Sequence, residues 1–254
     1  MARIRVPARR ELRVGSIARL DRDRPRRTGV PEVILGEGKT PPQLLSILFT
    51  LSARGEGALV SRPTAAQRRA LGDARRSGLR VRLLASGRLA RLEGSLGPAY
   101  RRGSVAIVTA GTSDVLLAEE AKSILVELGI RVVSAYDVGV AGLHRLLRAV
   151  ATLERHRPEL YLVFAGREGA LPTVIAGLVH APVVGVPTSV GYGRGGRGEA
   201  ALSAMLQSCA PIAVVNIDAA VPAALFAAQR FSIPPPGKRR VPRARRRARR
   251  RAPP

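Results

Sequence analysis

The sequence is poor in sulfur and in aromatic rings. It holds one cysteine, Cys209, two methionines and no tryptophan, and aromatic residues make up 3% of its 254. A single cysteine excludes an intrachain disulfide and leaves no cysteine cluster for a structural zinc ion. Apolar residues still reach 46%. The core must therefore be Val, Leu, Ile and Ala, which suits helices packed on a buried parallel sheet. Long apolar runs are missing as well: none reaches the roughly 18 residues of a membrane-spanning helix. The basic opening MARIRVPARRELR is not followed by the apolar stretch of a secretory leader. The expectation is a cytoplasmic protein without membrane contact.

Acids are scarce too. The chain has 18 Asp+Glu against 43 Lys+Arg, a formal net charge of +25. Much of the excess is local: residues 237–254, GKRRVPRARRRARRRAPP, carry ten basic residues and no acid. Such a stretch has almost nothing to bury and reads as a solvated, disordered extension. Its functional alternative is contact with nucleic acid or another anionic surface.

The remainder divides by pattern into an Arg-rich segment 1–29, a small α/β unit 30–100, a larger unit 101–231 and the tail 232–254. In the small unit, PEVILGEG suggests a strand. TPPQLLSILFTLSARG suggests a helix opened by Thr40 with prolines in its first turn. GALVSR and LRVRLLAS read as strands around the polar helix AAQRRALGDARRSG, and residues 94–103 read as a linker. In the larger unit, strands and helices alternate: SVAIVTA, RVVSAYD, ELYLVFAG, PVVGVPTS and IAVVNID are strands, and ALPTVIAGLVHA, EAALSAMLQS and AVPAALFAAQRF are helices. Alternation of this kind forces parallel neighbours through right-handed crossovers, and strands apolar on both faces need helices on both sides. The pattern predicts a doubly wound parallel sheet with a smaller α/β domain in front of it.

Ligands of such sheets bind outside the carboxyl ends of the strands. The segments there are AGTSD (110–114), AYDVG (135–139), AGREGALP (165–172), VPTSVGYGRGG (186–196) and NIDA (216–219). Thr112 or Ser113 caps the next helix, and with Asp114 this start either binds a phosphate on free N–H groups or is an ordinary cap. GYGRGG (191–196) fits the glycine spacing of a dinucleotide fingerprint. Its glycines sit well past the strand end, however, which favours a lid or phosphate loop. Glu168 follows a buried strand, where a carboxylate is costly unless paired or used. Cys209 closes an apolar helix and reads either as a small buried side chain or as a reactive thiol. His144, His156 and His180 lack metal-ligand spacing and read as structural or exposed. No protein metal site is expected.

The segments VAIVTAGTSDVLLAEEA, AYDVGVAGLHRL, FAGREGALPTVIAGL, PVVGVPTSVGYG and LSAMLQSCAPIAVVNID resemble the LarB family, and RTGVPEVILGEGKT (27–40) resembles that family's leader domain. The carboxyl half is similar, more distantly, to the PurE aminoimidazole ribonucleotide (AIR) carboxylases. Where those enzymes place a histidine before Leu-Pro, this chain has Ala170, so the acid–base apparatus for an aminoimidazole is missing. The resemblance implies a PurE/flavodoxin-like sheet and a symmetric homo-oligomer, an octamer. The implied activity is carboxylation at C5 of the pyridinium ring of nicotinic acid adenine dinucleotide by CO2 or bicarbonate. Hydrolysis of the phosphoanhydride then releases AMP, and the product serves nickel-pincer cofactor synthesis for lactate racemase. Mg2+ is implied on the substrate phosphates.

In that reading Cys209 is the nucleophile and Glu168 the base. A pyridinium carbon attacks CO2 only after a thiolate has added to the ring and turned it into an enamine, and a carboxylate can take the proton that is then lost. Thr112, Ser113 and Asp114 would hold the ribose phosphate, and Tyr136 and Asp137 would line the nucleotide. Gly166, Gly169, Ala170, Thr188, Ser189, Gly191 and Gly193 would approach the ring or the phosphates. The rival readings are an AIR carboxylase or mutase of purine synthesis, a nicotinamide-dependent oxidoreductase built on GYGRGG, and a basic nucleic-acid-binding protein.

Overall fold

The computed structural model describes residues 11–97 and 99–233. The basic tail from 237 onward, with its expected disorder and nucleic-acid contact, lies outside them, as do residues 1–10.

The chain opens with a hairpin, β1 (Glu11–Val14) and β2 (Ala18–Asp21), followed by a short helix α1 (Arg24–Thr28). Leu12, Val14 and Leu20 are buried in the core of the first domain. This stretch, expected to be irregular, is thus part of that domain: three apolar residues spaced among arginines suffice to dock it. Next come β3 (Val33–Leu35), α2 (Pro41–Ser52), β4 (Ala58–Ser61), α3 (Ala65–Arg76), β5 (Val81–Leu84) and β6 (Leu89–Leu92).

Thr40 caps α2 as expected: its hydroxyl accepts from the Gln43 amide at 3.4 Å while the Gln43 side chain accepts from the Thr40 amide at 2.9 Å. Thr64 and Gln67 repeat the device on α3. The sheet order is β3-β4-β6-β5. Strand β6, which the pattern did not reveal, sits between β4 and β5 and pairs antiparallel with both. Its alternation is disguised by Arg91, whose side chain is only 9% exposed and reaches Glu127 at 3.1 Å. The expected linker is pinned, not free: the Tyr100 hydroxyl donates to the Gly29 carbonyl at 2.9 Å.

The second domain runs β7 (Ser104–Thr109), α4 (Val115–Glu127), β8 (Arg131–Ala135), α5 (Leu143–Glu154), β9 (Leu160–Ala165), α6 (Leu171–Ala176), β10 (Val183–Pro187), α7 (Glu199–Leu206), β11 (Ile212–Val214) and α8 (Ala220–Gln229). The five strands are all parallel, in the order β11-β10-β9-β7-β8. The central strands β7, β9 and β10 are buried throughout, and alternate residues face opposite sides of the sheet. Val105, Ile107, Leu160, Leu162 and Phe164 pack with α4 and α8, while Ala106, Val108, Tyr161 and Val163 pack with α5, α6 and α7. The sheet is doubly wound, as the sequence pattern predicts. Helix α6 is shorter than expected and stops at Gly177.

The first domain rests on the α4 and α8 side, where Val30, Leu59 and Leu89 join the core of the second. Glu120 of α4 is completely buried there. It accepts from the Ser61 hydroxyl at 2.8 Å and pairs with the Arg88 guanidinium at 3.1 Å. Among the described residues no helix is long and apolar enough to cross a membrane.

Candidate active site

The strand order reverses between β7 and β9: the chain leaves β7 toward β8 on one side and later fills β9, β10 and β11 on the other. A reversal of this kind opens a crevice at the carboxyl edge. It is present as a cleft of about 410 Å3 walled by Ala110–Gly111, Ser113–Asp114, residues 139–141, residues 165–168, Leu171 and Val190. That volume suits a small-molecule site.

Asp114 is buried beneath the cleft. One carboxylate oxygen accepts from the Gly111 amide at 2.9 Å and the other from the fully buried Thr188 hydroxyl at 2.6 Å. Burial pushes its carboxyl above the ordinary value, the two hydrogen bonds oppose this, and the Asp218 charge adds to the rise. Asp114 therefore staples the β7 loop to the β10 loop. Neither Thr112 nor Ser113 caps α4, because a 3-10 turn over Thr112–Asp114 precedes the helix. Both side chains are exposed, and Ser113 lines the cleft.

Glu168 lines the cleft and is exposed, and among the described residues it has no hydrogen-bond or ion-pair partner. The burial cost that drew notice to it does not apply, because its loop projects beyond the sheet edge. Beside it stands Arg167, which the sequence reading passed over. Its backbone is left-handed (φ 51°) and its guanidinium lies 4.9 Å from the Tyr192 ring centre. A cation next to a free acid in the loop after a buried strand was the available signal. Val140 and Ala141 were missed, being apolar and carrying no chemical signature; Gly139 and Val190 fell within the expected loops but were not singled out. A Cβ on Gly166 would sit 2.2 Å from the Val190 carbonyl oxygen, so the β9 and β10 loops touch there.

Other expected binding residues do different work. The Tyr136 hydroxyl donates to the Glu119 carboxylate of α4, beside Lys122, and burial pushes that hydroxyl up. Tyr136 thus turns toward the helix and is not a cleft wall. Asp137 pairs with Arg145 at 3.2 Å and donates its amide to the Thr109 hydroxyl at 3.0 Å. Gly169 is left-handed (φ 62°), and a Cβ there would meet the Ala201 carbonyl oxygen at 2.6 Å, so it packs against α7. Ala170 holds the residue before α6. The Ser189 amide donates to the Asp218 carboxylate at 2.8 Å. Gly191 packs on Gly195, and Gly193 stands in open space at the start of a 3-10 turn over Gly193–Gly198. With five residues between the end of β10 and Gly193, GYGRGG is not the tight strand-to-helix turn of a dinucleotide fingerprint.

Cys209 is exposed in the turn between α7 and β11. Ile212 pairs with Val183, which pairs with Tyr161, so Cys209 lies before the level at which β9 begins. Glu168 follows the end of β9. Six strand residues at ~3.3 Å each separate the two edges by roughly 16 Å or more. Cys209 and Glu168 therefore do not meet within one chain, contrary to the expectation of a single crevice holding both. Consecutive parallel strands put a loop before one strand and a loop after another on opposite edges, and the pattern of the sequence contains that fact.

The expected magnesium has no protein cage here: no group of three or more His, Cys, Asp or Glu side chains among the described residues could hold a metal ion. Both oxygens of Asp114 are engaged, by the Gly111 amide and the Thr188 hydroxyl.

The family model described as AIR carboxylase matches residues 104–250, more than half of the chain. The chain belongs to the AIR carboxylase family. A second model, LarB/PurE-like N-terminal domain, matches residues 11–80. It begins where the hairpin begins. An uncharacterized protein of Methanocaldococcus jannaschii is 38% identical over 213 residues, covering 82% of each chain. A probable N5-carboxyaminoimidazole ribonucleotide mutase of Methanothermobacter thermautotrophicus is 37% identical over 141 residues, 53% of this AIR carboxylase family member and 40% of that protein. A crystal structure of a Treponema denticola PurE2 variant is 28% identical and aligns with a TM-score of 0.42 over 52% of this chain and 80% of its own.

Proposed function

We propose that this AIR carboxylase family member carboxylates C5 of the pyridinium ring of nicotinic acid adenine dinucleotide with CO2 or bicarbonate and hydrolyses the phosphoanhydride to release AMP. The product is a pyridinium-3,5-biscarboxylate mononucleotide, of the kind needed for nickel-pincer cofactor synthesis. The observation that carries this reading is the free Glu168 carboxylate in the cleft, with Ala170 where an aminoimidazole enzyme, by resemblance, has its histidine. An unpaired acid beside a cationic ring stabilises it and stands ready to accept a proton. Arg167 supplies a cation for the phosphoanhydride. The match of residues 11–80 to a LarB-type domain supports the same reading.

The Cys209 thiolate adds to a ring carbon and the displaced ring electrons settle on nitrogen, leaving C5 as the enamine carbon. C5 bonds to the carbon of CO2. Glu168 takes the C5 proton, the ring regains aromaticity, and the C–S bond breaks to return the thiolate. Because Cys209 sits on the opposite edge from Glu168 in each chain, the reading requires a second protomer to bring its β11 edge to the cleft of the first. A symmetric homo-oligomer supplies such contacts.

The test is a mass measurement. Protein incubated with the dinucleotide and bicarbonate is expected to yield AMP and a product heavier by one carboxyl group than nicotinate mononucleotide. The same assay with aminoimidazole ribonucleotide is expected to show no turnover; turnover there instead would move the protein to the mutase or carboxylase of purine synthesis. Cys209→Ala is expected to be inactive and Glu168→Gln to be slowed by roughly 10²–10⁴, and a mixture dissociated and reassembled is expected to regain activity in sites that combine one intact residue from each partner. A mixture as dead as its components would mean that the two residues do not complement across protomers.

A further inference from the structure

A hydrogen bond ties the first domain to the loop between β11 and α8. The guanidinium of Arg62, just after β4, donates to the backbone carbonyl of Asp218 at 2.5 Å, across 156 positions of sequence. Asp218 lies in the loop between β11 and α8. Its carboxylate accepts from the Ser189 amide at 2.8 Å and its own amide donates to the Pro187 carbonyl at 2.9 Å. Ser189 adjoins Val190, a wall of the cleft whose carbonyl accepts from the Arg167 amide at 3.3 Å. Arg62 and Asp218 are both left-handed (φ 50° and 56°), a conformation that non-glycine residues keep only when their surroundings hold them. Arg62 is itself fixed, its amide donating to the Arg88 carbonyl at 2.7 Å.

We propose that Arg62 is a positioning residue: through Asp218, the first domain sets the Ser189–Val190 wall and with it the backbone of the Arg167–Glu168 loop. The first domain then acts as a brace for the site in the second. A charged donor on a carbonyl orients that peptide, the Asp218 side chain follows its backbone, and the Ser189 amide follows the carboxylate. That this wall serves a nicotinate dinucleotide rests on the reading above. The brace does not.

Amide hydrogen exchange tests it on the full chain. Arg62→Met keeps the apolar stem and removes the donors. Exchange at the Ser189 amide is expected to rise about tenfold, and Arg62→Lys, which restores one donor, is expected to return most of the protection. Ser61→Ala breaks a different bond between the domains, the one to Glu120, and is expected to leave Ser189 unchanged. Unaltered Ser189 exchange in Arg62→Met overturns the proposal. So does an equal rise in Ser61→Ala, which would make the effect a general loosening of the two domains. If Arg62→Met does not fold, the lysine variant decides: protection near wild type supports the brace and lost protection overturns it. With the dinucleotide as substrate, Arg62→Met is expected to raise KM more than it lowers kcat. Absence of turnover in every form would reject the substrate while the exchange data still judge the brace.

Discussion

Glu120 and Glu168 belong to the same domain and meet opposite treatment. Glu120 is fully buried on α4 and satisfied by Ser61 and Arg88 across the domain boundary. Glu168 is exposed in the cleft and unpartnered among the described residues. A folded chain keeps a buried acid only by pairing it, so the paired glutamate reports on architecture. An acid left free, beside a cation, at the point where strand order reverses is available for chemistry. The comparison breaks first at Glu168→Gln. Carboxylation is expected to fall by roughly 10²–10⁴, the usual loss on removing a general base, with the unfolding midpoint unchanged because the side chain is exposed and pairs with nothing among the described residues. Full activity in this variant would remove Glu168 from the reaction and erase the contrast.

Glu120→Ala probes the other side. It leaves the Ser61 hydroxyl and the Arg88 guanidinium without their acceptor in a buried interface. Arg88 is 31% exposed and water recovers part of its loss. The expected cost is about 2–3 kcal/mol of stability, read from urea unfolding. The expected form of the transition is informative too: with the main buried ion pair between the domains gone, the first domain is expected to melt earlier than the second. A loss indistinguishable from that of an exposed glutamate would mean that the pairing of Glu120 with Ser61 and Arg88 adds nothing to the domain boundary.

The parallel domain was the more legible of the two. Its strands are continuous apolar runs because both faces are covered, and its crossovers follow from the alternation of strand and helix. The first domain hides β6 behind Arg91 and the hairpin behind Arg13 and Arg19 of its two strands, because charged side chains that snorkel or pair interrupt the period the eye follows. At the site, chemistry was legible by type and placement only in part. Glu168 was found, though for a burial that it does not have. Asp114 was expected to hold a phosphate and instead holds Thr188. Which loop touches which depends on register, as at Gly166 against Val190, and register is a long-range property that no local spacing encodes. Cys209 is the opposite case: the order of strands and helices in the sequence already places it on the edge away from Glu168.

Asp114 sits between the two glutamates in character, and it offers the smallest and most exacting measurement. It is buried like Glu120 and lies at the cleft like Glu168. Its pairing with Thr188 and Gly111 lowers its carboxyl less than burial raises it, so the folded chain holds that proton to higher pH than the unfolded one, whose value is near 3.8. Over that interval the native state binds more protons, and its contribution to stability is complete below 3.8 and is lost as pH climbs through the folded value. Asp114→Asn removes the titration while keeping an acceptor for Gly111 and a donor for the Thr188 hydroxyl. The stability of the wild type relative to this variant is therefore expected to decline as pH is raised from the acid limit and then to level off, in urea unfolding at a series of pH values. All other acids cancel in the difference. A wild-type advantage that instead grows with pH would mean that the two hydrogen bonds outweigh burial. Asp114 would then stand with the paired acids, fully charged under its cleft, and no longer between the two.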